Sequence, residues 1–215
     1  MKRVVALALC LLALPVLADE SPSGFLSDYE RLSKQGPIRA RYLGFVAKDS
    51  AELRSQAVYV APVVRFPADA RFPDIDDAFI GSVLTYTEQQ LRSQLAVYTT
   101  VVDEQSAADV TLEVALTALG SKVEGKTPLD LVPMRMVTGR VKDATMGKAM
   151  DATAVLEMRV TQAGSGQVLR ESLHRLVGDG IGRDEDEDTQ VTLDALKPAL
   201  DKWVALVVEQ LAPKR

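Results

Sequence analysis

One stretch of the sequence has the residue types and spacing of a phosphate-binding loop. Residues 120–127 follow the pattern G-x-x-x-x-G-K-T, in which backbone N–H groups and a lysine would hold the phosphates of a nucleotide. Such a loop continues into a helix whose N-terminus binds the phosphates, whereas here Pro128 follows Thr127 and no long amphipathic pattern comes next. We therefore predict a turn between two strands, and no nucleotide as a partner.

A second glycine-rich stretch leads into five adjacent acidic residues. Residues 178–182 resemble a dinucleotide-binding loop, but the last glycine of that pattern is missing, and the carboxylates at 184–188 would repel a pyrophosphate. The acids at alternate positions have the spacing of a calcium-binding loop, yet Thr189 stands where that loop requires glycine and Ala195 where it requires glutamate. We predict a solvated loop before a helix, and weak millimolar cation binding stays an open alternative.

Few other residues could do catalytic chemistry. His174 is the only histidine, so a metal site built from several histidines is excluded, and an acid–base dyad would need carboxylates. The only cysteine, Cys10, lies in the predicted leader, and no Gly-x-Ser-x-Gly elbow occurs. Trp203 is predicted to anchor a core or an interface. The sequence therefore indicates no catalytic residue, no metal ligand and no cofactor.

The first residues have the pattern of a secretory signal peptide. Lys2 and Arg3 precede an apolar run at 4–14, and we predict cleavage after Ala18 and a periplasmic location. The run is shorter than the roughly 20 residues that a membrane-spanning helix needs. Lipid attachment at Cys10 is disfavoured because that residue lies inside the run and follows a bulky side chain.

The net charge limits the kinds of partner that the chain can bind, and its length limits the number of domains. The chain has 215 residues and a formal net charge of −5, which becomes more negative by two when the leader is removed. Nucleic acids and anionic lipid surfaces are therefore poor partners. The mature length suits one domain with a real core and no need for disulfides.

Hydrophobic periodicity predicts one central helix that runs directly into strands. Asp76 and Asp77 offer side-chain oxygens to the first turn, and apolar residues then recur at three- and four-residue steps up to Leu95. These residues are Phe79, Ile80, Val83, Leu84, Thr87, Leu91 and Leu95. Residues 97–102 are rich in β-branched side chains, and residues 110–118 alternate between apolar and polar types, so we predict two strands.

The remaining elements complete a prediction for the whole chain. Residues 56–66 predict a strand in which Pro62 indicates an edge or a bulge, residues 152–161 and 168–177 predict a hairpin, and 193–211 predict a closing helix that begins or kinks near Pro198. The predicted domain organisation is a signal peptide at 1–18, an extended N-terminal arm at 19–55 and an α+β domain at 56–215. We predict a single α+β domain with a mostly antiparallel sheet and two long helices packed on one face.

Three sequence features occur together with this order of elements. They are the motif Ser-Gly-Phe-Leu-Ser-Asp-Tyr at 23–29, the motif Ala-Asp-Val-Thr-Leu at 108–112, and a predicted final helix that contains Trp203. The chain resembles family 3313 of the bacterial domains of unknown function, over nearly all of its mature part. That resemblance implies a cell-envelope protein, often a lipoprotein, although this sequence lacks the lipid-attachment cysteine. The layout is also similar to the anticodon-binding-domain-like fold of the TolB amino-terminal domain and the curli secretion protein, a similarity of architecture alone.

Residues 128–150 concentrate four of the six methionines in the chain. Flexible thioether side chains suit a surface that must adapt to a partner, but the commoner use of such side chains is to fill gaps beneath an irregular loop. The candidate partner surface consists of Leu131, Met134, Met136, Val137, Met146 and Met150.

The function predicted from the sequence is that of a non-catalytic periplasmic protein which binds another envelope component through a sheet edge or this irregular segment. Peripheral association with the outer membrane remains an open alternative for its location. The competing hypothesis is a small-ligand binder or a hydrolase with a carboxylate-based site. A deep polar pocket with two facing acids of raised pKa would favour the competitor, and a flat apolar patch would favour the binding protein.

Overall fold

Alternating and amphipathic stretches of the sequence build one sheet with two helices against it. The computed structural model describes residues 22–35, 42–48, 50, 56–72, 75–123, 150–181 and 191–211. In chain order the elements are β1 Ser33–Gln35, β2 Tyr42–Val46, β3 Ala57–Val60, β4 Val64–Arg65, α1 Asp77–Leu95, β5 Thr100–Val102, β6 Val110–Val123, β7 Met150–Gln162, β8 Val168–Ile181 and α2 Leu193–Leu211.

The strands form a single sheet in the order β1-β2-β8-β7-β6-β3-β5, and β4 pairs with β6. The long pairings of β6 with β7 and of β7 with β8 are antiparallel, whereas β3 runs parallel to both β5 and β6. Residues 61–63, with Pro62 at their centre, separate β3 from β4. The prediction of a single α+β domain with a mostly antiparallel sheet is confirmed.

Both helices begin with a side-chain cap. The Asp76 carboxylate accepts a hydrogen bond from the Phe79 N–H at 2.6 Å, as the sequence predicts, and the Thr192 hydroxyl accepts one from the Ala195 N–H at 3.3 Å. Helix α1 buries Ile80, Val83, Thr87, Leu91 and Leu95, all members of the predicted apolar stripe. Helix α2 begins five residues before Pro198, which therefore lies inside the helix.

The main core lies between the helices and one face of the sheet. Its largest fully buried side chains are Leu91, Leu95, Leu112, Leu116, Leu119, Leu156, Met158, Leu196, Leu200, Trp203 and Leu211. Burying one such side chain stabilises the fold by roughly 1.5–3 kcal/mol, so this layer supplies most of the driving force for folding.

The opposite face of the sheet is covered by an N-terminal segment. The predicted extended arm at 19–55 contains strands β1 and β2, and β2 joins the sheet through an antiparallel pairing with β8. Just before β1, the side chains of Phe25 and Leu26 pack with Ala115 in a small apolar cluster of their own. We call residues 22–32 the N-terminal strap.

Both glycine-rich motifs begin inside strands. Gly120 lies in β6, where the backbone pairs with Thr153 of β7, and Gly178 lies in β8. In each motif the first glycine is therefore part of a strand. The later residues of the first motif and the acids at 184–188 lie outside the described residues. Within the described ranges, neither helix combines the length and the apolar character that crossing a membrane requires.

Candidate functional site

Four neighbouring strands place two rows of side chains beneath the N-terminal strap. In the first row, Phe45 of β2, Glu171 of β8, Arg159 of β7 and Glu113 of β6 are successive cross-strand neighbours. In the second row the neighbours are Leu43, Leu173, Glu157 and Ala115. Successive side chains of a strand alternate between faces, so these residues share the face opposite the helices.

Glu157 is one of two carboxylates buried under the strap, with 2% of its surface exposed. Its Oε2 atom accepts a hydrogen bond of 2.6 Å from the Tyr29 hydroxyl and one of 3.0 Å from the Ser23 hydroxyl. The Thr117 side chain is a further hydrogen-bond partner. Burial raises the pKa of Glu157 although these hydrogen bonds act to lower it, so loss of water outweighs the donors.

Glu171 is the second buried carboxylate, with 1% of its surface exposed. Its Oε1 atom accepts from the Ser27 N–H at 2.8 Å. Its Oε2 atom accepts from the Nη2 and Nε atoms of Arg31 at 2.6 and 3.1 Å. The paired guanidinium and the backbone donor together compensate the burial of this charge. We call Glu157 and Glu171 the buried carboxylate pair.

Arg159 connects the sheet to the backbone of the strap. Its Nε and Nη2 atoms donate to Glu113 at 3.0 and 3.2 Å, and its Nη1 atom donates to the Phe25 carbonyl at 3.2 Å. The guanidinium carbon lies 5.2 Å from the centre of the Phe25 ring. One arginine therefore orients both a charged side chain of β6 and an aromatic side chain of the strap.

The strap is also held by aromatic contacts at its two ends. The rings of Phe25 and Phe66 meet edge to face with their centroids 5.5 Å apart, and the Arg31 guanidinium lies 4.1 Å from the centre of the Phe45 ring. Gly24 has a φ of 89°, a conformation that favours glycine, and it turns the chain between Ser23 and Phe25. The strap thus crosses the sheet from the β4 side to the β2 side.

This arrangement does not give the buried carboxylate pair catalytic access. A hydrolase with two carboxylates must admit a substrate and a water molecule between them. Here both acids are covered by the strap, and their oxygens accept hydrogen bonds from Ser23, Ser27, Tyr29 and Arg31. The pair therefore acts as the anchor of the strap.

His174 belongs to a second polar group, on the helix side of β8. Its Nε2 atom lies 2.9 Å from the Ser172 hydroxyl, an arrangement that resembles a base and a nucleophile. The imidazole stacks on Tyr42 with centroids 4.5 Å apart and meets Trp203 edge to face. Burial lowers the pKa of His174 to about 3, so the ring is neutral and serves packing. Trp203 is a core anchor, in agreement with one of its two predicted roles.

A groove of about 480 Å³ between the two helices is open to solvent. It is lined by Ala78, Gly81, Ser82, Thr85, Tyr86, Gln89, Leu193 and Lys197. The Tyr86 hydroxyl at its border donates to Asp201 at 2.7 Å, and this bond raises the pKa of Tyr86 to about 12. In the part of the chain that is described, no cluster of three or more histidine, cysteine or acidic side chains has metal-binding geometry.

The partner surface predicted from methionine content lies almost wholly outside the described residues. Of its members, only Met150 is included, as the first residue of β7, where its backbone pairs with Val123 and Ile181. Sequence reasoning missed the buried carboxylate pair, because the alternation of β7 assigns Glu157 and Arg159 to a polar face and that face looks exposed. The available signal was the sequence at 23–31. Ser23 and Tyr29 supply side-chain donors for Glu157, and the Ser27 N–H and the Arg31 guanidinium supply donors for Glu171.

Known proteins resemble this chain over most of its length. The uncharacterized lipoprotein YdcL of Escherichia coli K12 is 20% identical over 197 residues, which cover 91% of this chain and 87% of the relative. Among solved structures, the PelC dodecamer from Paraburkholderia phytofirmans has 14% identity and a TM-score of 0.42, covering 80% of this chain and 99% of that one. A Xanthomonas campestris protein of family DUF330 has 12% identity and a TM-score of 0.44, covering 78% and 90%.

The family assignment rests on a match that includes the strap, the sheet and most of α2. It spans residues 21–207, and it confirms the resemblance noted in the sequence. The chain belongs to the family described as Protein of unknown function (DUF3313).

Proposed function

We propose that this chain is an exported, non-catalytic protein of the cell envelope that binds another envelope component. The main support for the non-catalytic role is that the buried carboxylate pair is covered by the strap and hydrogen-bonded to it. Glu157 and Glu171 are the acids that a carboxylate-based hydrolase would use, and both serve to hold the N-terminal strap. While the strap is in place, a carboxylate that is buried and engaged in structural hydrogen bonds does not position a substrate.

Export to the periplasm is supported by the first residues and by a relative. The leader pattern ends at Ala18, and the YdcL relative is named as a lipoprotein, which is an exported class of protein. We propose cleavage after Ala18 and a periplasmic location for the mature chain.

The binding surface that we propose consists of Leu131, Met134, Met136, Val137, Met146 and Met150. The chain leaves β6 at Val123 and enters β7 at Met150, and these two residues are paired in the ladder. The 26 residues between them therefore start and finish at one end of the sheet. The methionine-rich composition of this span favours an adaptable contact with a protein partner.

The experiment is affinity capture of the tagged, full-length chain from envelope extract, followed by mass spectrometry. We expect one envelope protein to be captured in stoichiometric amount by the wild type and also by Val97→Ser, since Val97 is a 74%-exposed apolar residue outside the proposed surface. Glu157→Gln should retain the partner as well, because Glu157 is buried and does not belong to the proposed surface. Recovery of outer-membrane lipid without a protein would instead support peripheral membrane association, and recovery of neither would reject the proposal.

A further inference from the structure

The backbone of the N-terminal strap is held mainly by side chains, outside the strand ladder. The N–H of Phe25 donates to the Ser23 hydroxyl at 3.1 Å, that of Leu26 to the Tyr29 hydroxyl at 3.3 Å, and that of Ser27 to Glu171. A segment fixed in this way can leave the sheet without breaking any of the strand pairings.

The apolar contacts of the strap are separate from the main core. Phe25 and Leu26 belong to a small cluster with Ala115, and the sheet lies between that cluster and the helices. The surface under the strap carries Glu113, Glu157, Arg159 and Glu171, which water can solvate when the strap is absent. Release of the strap therefore exposes charged groups and little of the main core.

The Tyr29 hydroxyl makes the strap act as a unit. It donates to Glu157 at 2.6 Å, lies 2.8 Å from the Ser23 hydroxyl, and is approached by the N–H groups of Gly24 and Leu26 at 3.2 and 3.3 Å. One atom thus links both halves of the strap to the sheet, so its contacts form and break together.

We propose that residues 22–32 form a releasable strap, which leaves the sheet as one unit while the main core stays folded and thereby opens the buried carboxylate pair to solvent. The uncovered face presents Glu157 and Glu171 beside apolar residues that pack against Phe25 and Leu26, among them Ala115, Phe66 and Leu173. Its chemistry fits a peptide segment that offers hydroxyl, backbone N–H and guanidinium donors, as the strap itself does. This inference goes beyond the envelope-binding role and does not depend on it.

The test is hydrogen–deuterium exchange of the full-length protein, with Tyr29→Phe compared with Tyr98→Phe. Tyr98 is 46% exposed and lies outside the strap, so its variant controls for the loss of a tyrosine hydroxyl. In Tyr29→Phe we expect the amides of Phe25 and Ser27, whose own acceptors are retained, to exchange roughly tenfold faster or more, the effect of losing the Tyr29 hydrogen bond to a charged acceptor. The amides of β6, β7 and β8 should keep the wild-type rates in both variants.

Carboxyl labelling provides a second readout of the same proteins. A water-soluble carbodiimide with an amine should modify Glu157 and Glu171 faster in Tyr29→Phe than in the wild type or in Tyr98→Phe. If the strap amides exchange only as slowly as the amides of the central strands, or if Tyr29→Phe accelerates both sets equally, the strap unfolds with the whole domain and the proposal is overturned. Unchanged labelling in Tyr29→Phe would also overturn it.

Discussion

At the scale of single residues, Glu157 shows how burial and hydrogen bonding oppose each other. Burial raises its pKa, and the donors Tyr29 and Ser23 act to lower it. Because the raised pKa means that the folded protein holds this proton more tightly than the unfolded chain does, the contribution of Glu157 to stability is greatest at low pH. That contribution is lost as the pH rises through the pKa of the folded state.

Glu157→Gln makes this pH dependence measurable, because glutamine keeps an acceptor for Tyr29 and has no ionisable group. We expect the stability of the wild type relative to the variant to fall as the pH rises above 4.5, the ordinary pKa of a glutamate. Urea unfolding of both proteins at several pH values gives the difference in free energy. A difference that is constant, or that grows with pH, would contradict the burial of Glu157.

For His174 we predict the opposite dependence of stability on pH. Burial lowers its pKa from 6.5 to about 3, so the unfolded chain takes up a proton at mildly acid pH that the folded protein does not. The stabilisation is complete above the pKa of the unfolded chain and is lost as the pH falls toward the pKa of the folded state. As the pH falls below 6, the free energy of unfolding of the wild type should therefore decrease by about 1.4 kcal/mol per pH unit, relative to that of His174→Phe.

The variant His174→Phe is suitable because it retains an aromatic ring beside Tyr42 and Trp203 and cannot titrate. Equilibrium unfolding of both proteins at about pH 7 and about pH 5 is sufficient. Parallel losses of stability in the two proteins would show that His174 is protonated in the fold, and the inert role assigned to it would be wrong.

At the scale of elements, the space around two glycines shows where the backbone packs tightly and where it does not. A Cβ atom added at Gly178 of β8 would lie within van der Waals overlap of the Ala195 carbonyl oxygen at the start of α2, whereas one added at Gly81 of α1 would meet nothing within 4 Å. Gly178→Ala should destabilise the fold by roughly 1–3 kcal/mol, because the backbone of β8 or of α2 must move to make room for the added methyl group. The matched change Gly81→Ala should stabilise it by up to about 1 kcal/mol through helix propensity.

Thermal unfolding followed by circular dichroism distinguishes the two glycine variants. The melting temperature should fall for Gly178→Ala and stay equal or rise for Gly81→Ala. Equal shifts in the two proteins would mean that α2 does not lie on β8 as described.

Much of the element order is readable from the sequence because local patterns determine it. The cap at Asp76, the stripe that ends at Leu95 and the alternation of the β7–β8 hairpin are confirmed. The parallel pairing of β3 with β5 and β6 is not readable, because such pairings join residues far apart in the chain. The sequence shows that Glu157 and Arg159 share a face of β7, but only the tertiary structure shows that the strap covers this face.

At the scale of the whole molecule, the helices pack on one face of the described sheet, and the strap crosses part of the other face. The span between β6 and β7 is the contact that we propose with other envelope components. We predict that the secreted form begins at Asp19, since the leader pattern ends at Ala18. Intact-mass measurement of the exported protein checks this, and retention of Met1 or lipid on Cys10 would contradict it.

The most direct measurement of the proposed binding role compares the wild type with the double variant Met134→Ser and Met136→Ser. Co-purification from envelope extract and the melting temperature are recorded for both proteins, and Val97→Ser serves as the control for replacing an exposed apolar side chain. If these methionines contact a partner, the double variant loses the partner while its melting temperature stays close to that of the wild type. If they fill the core, stability falls by roughly 2–5 kcal/mol for each residue, and the proposed partner surface is wrong.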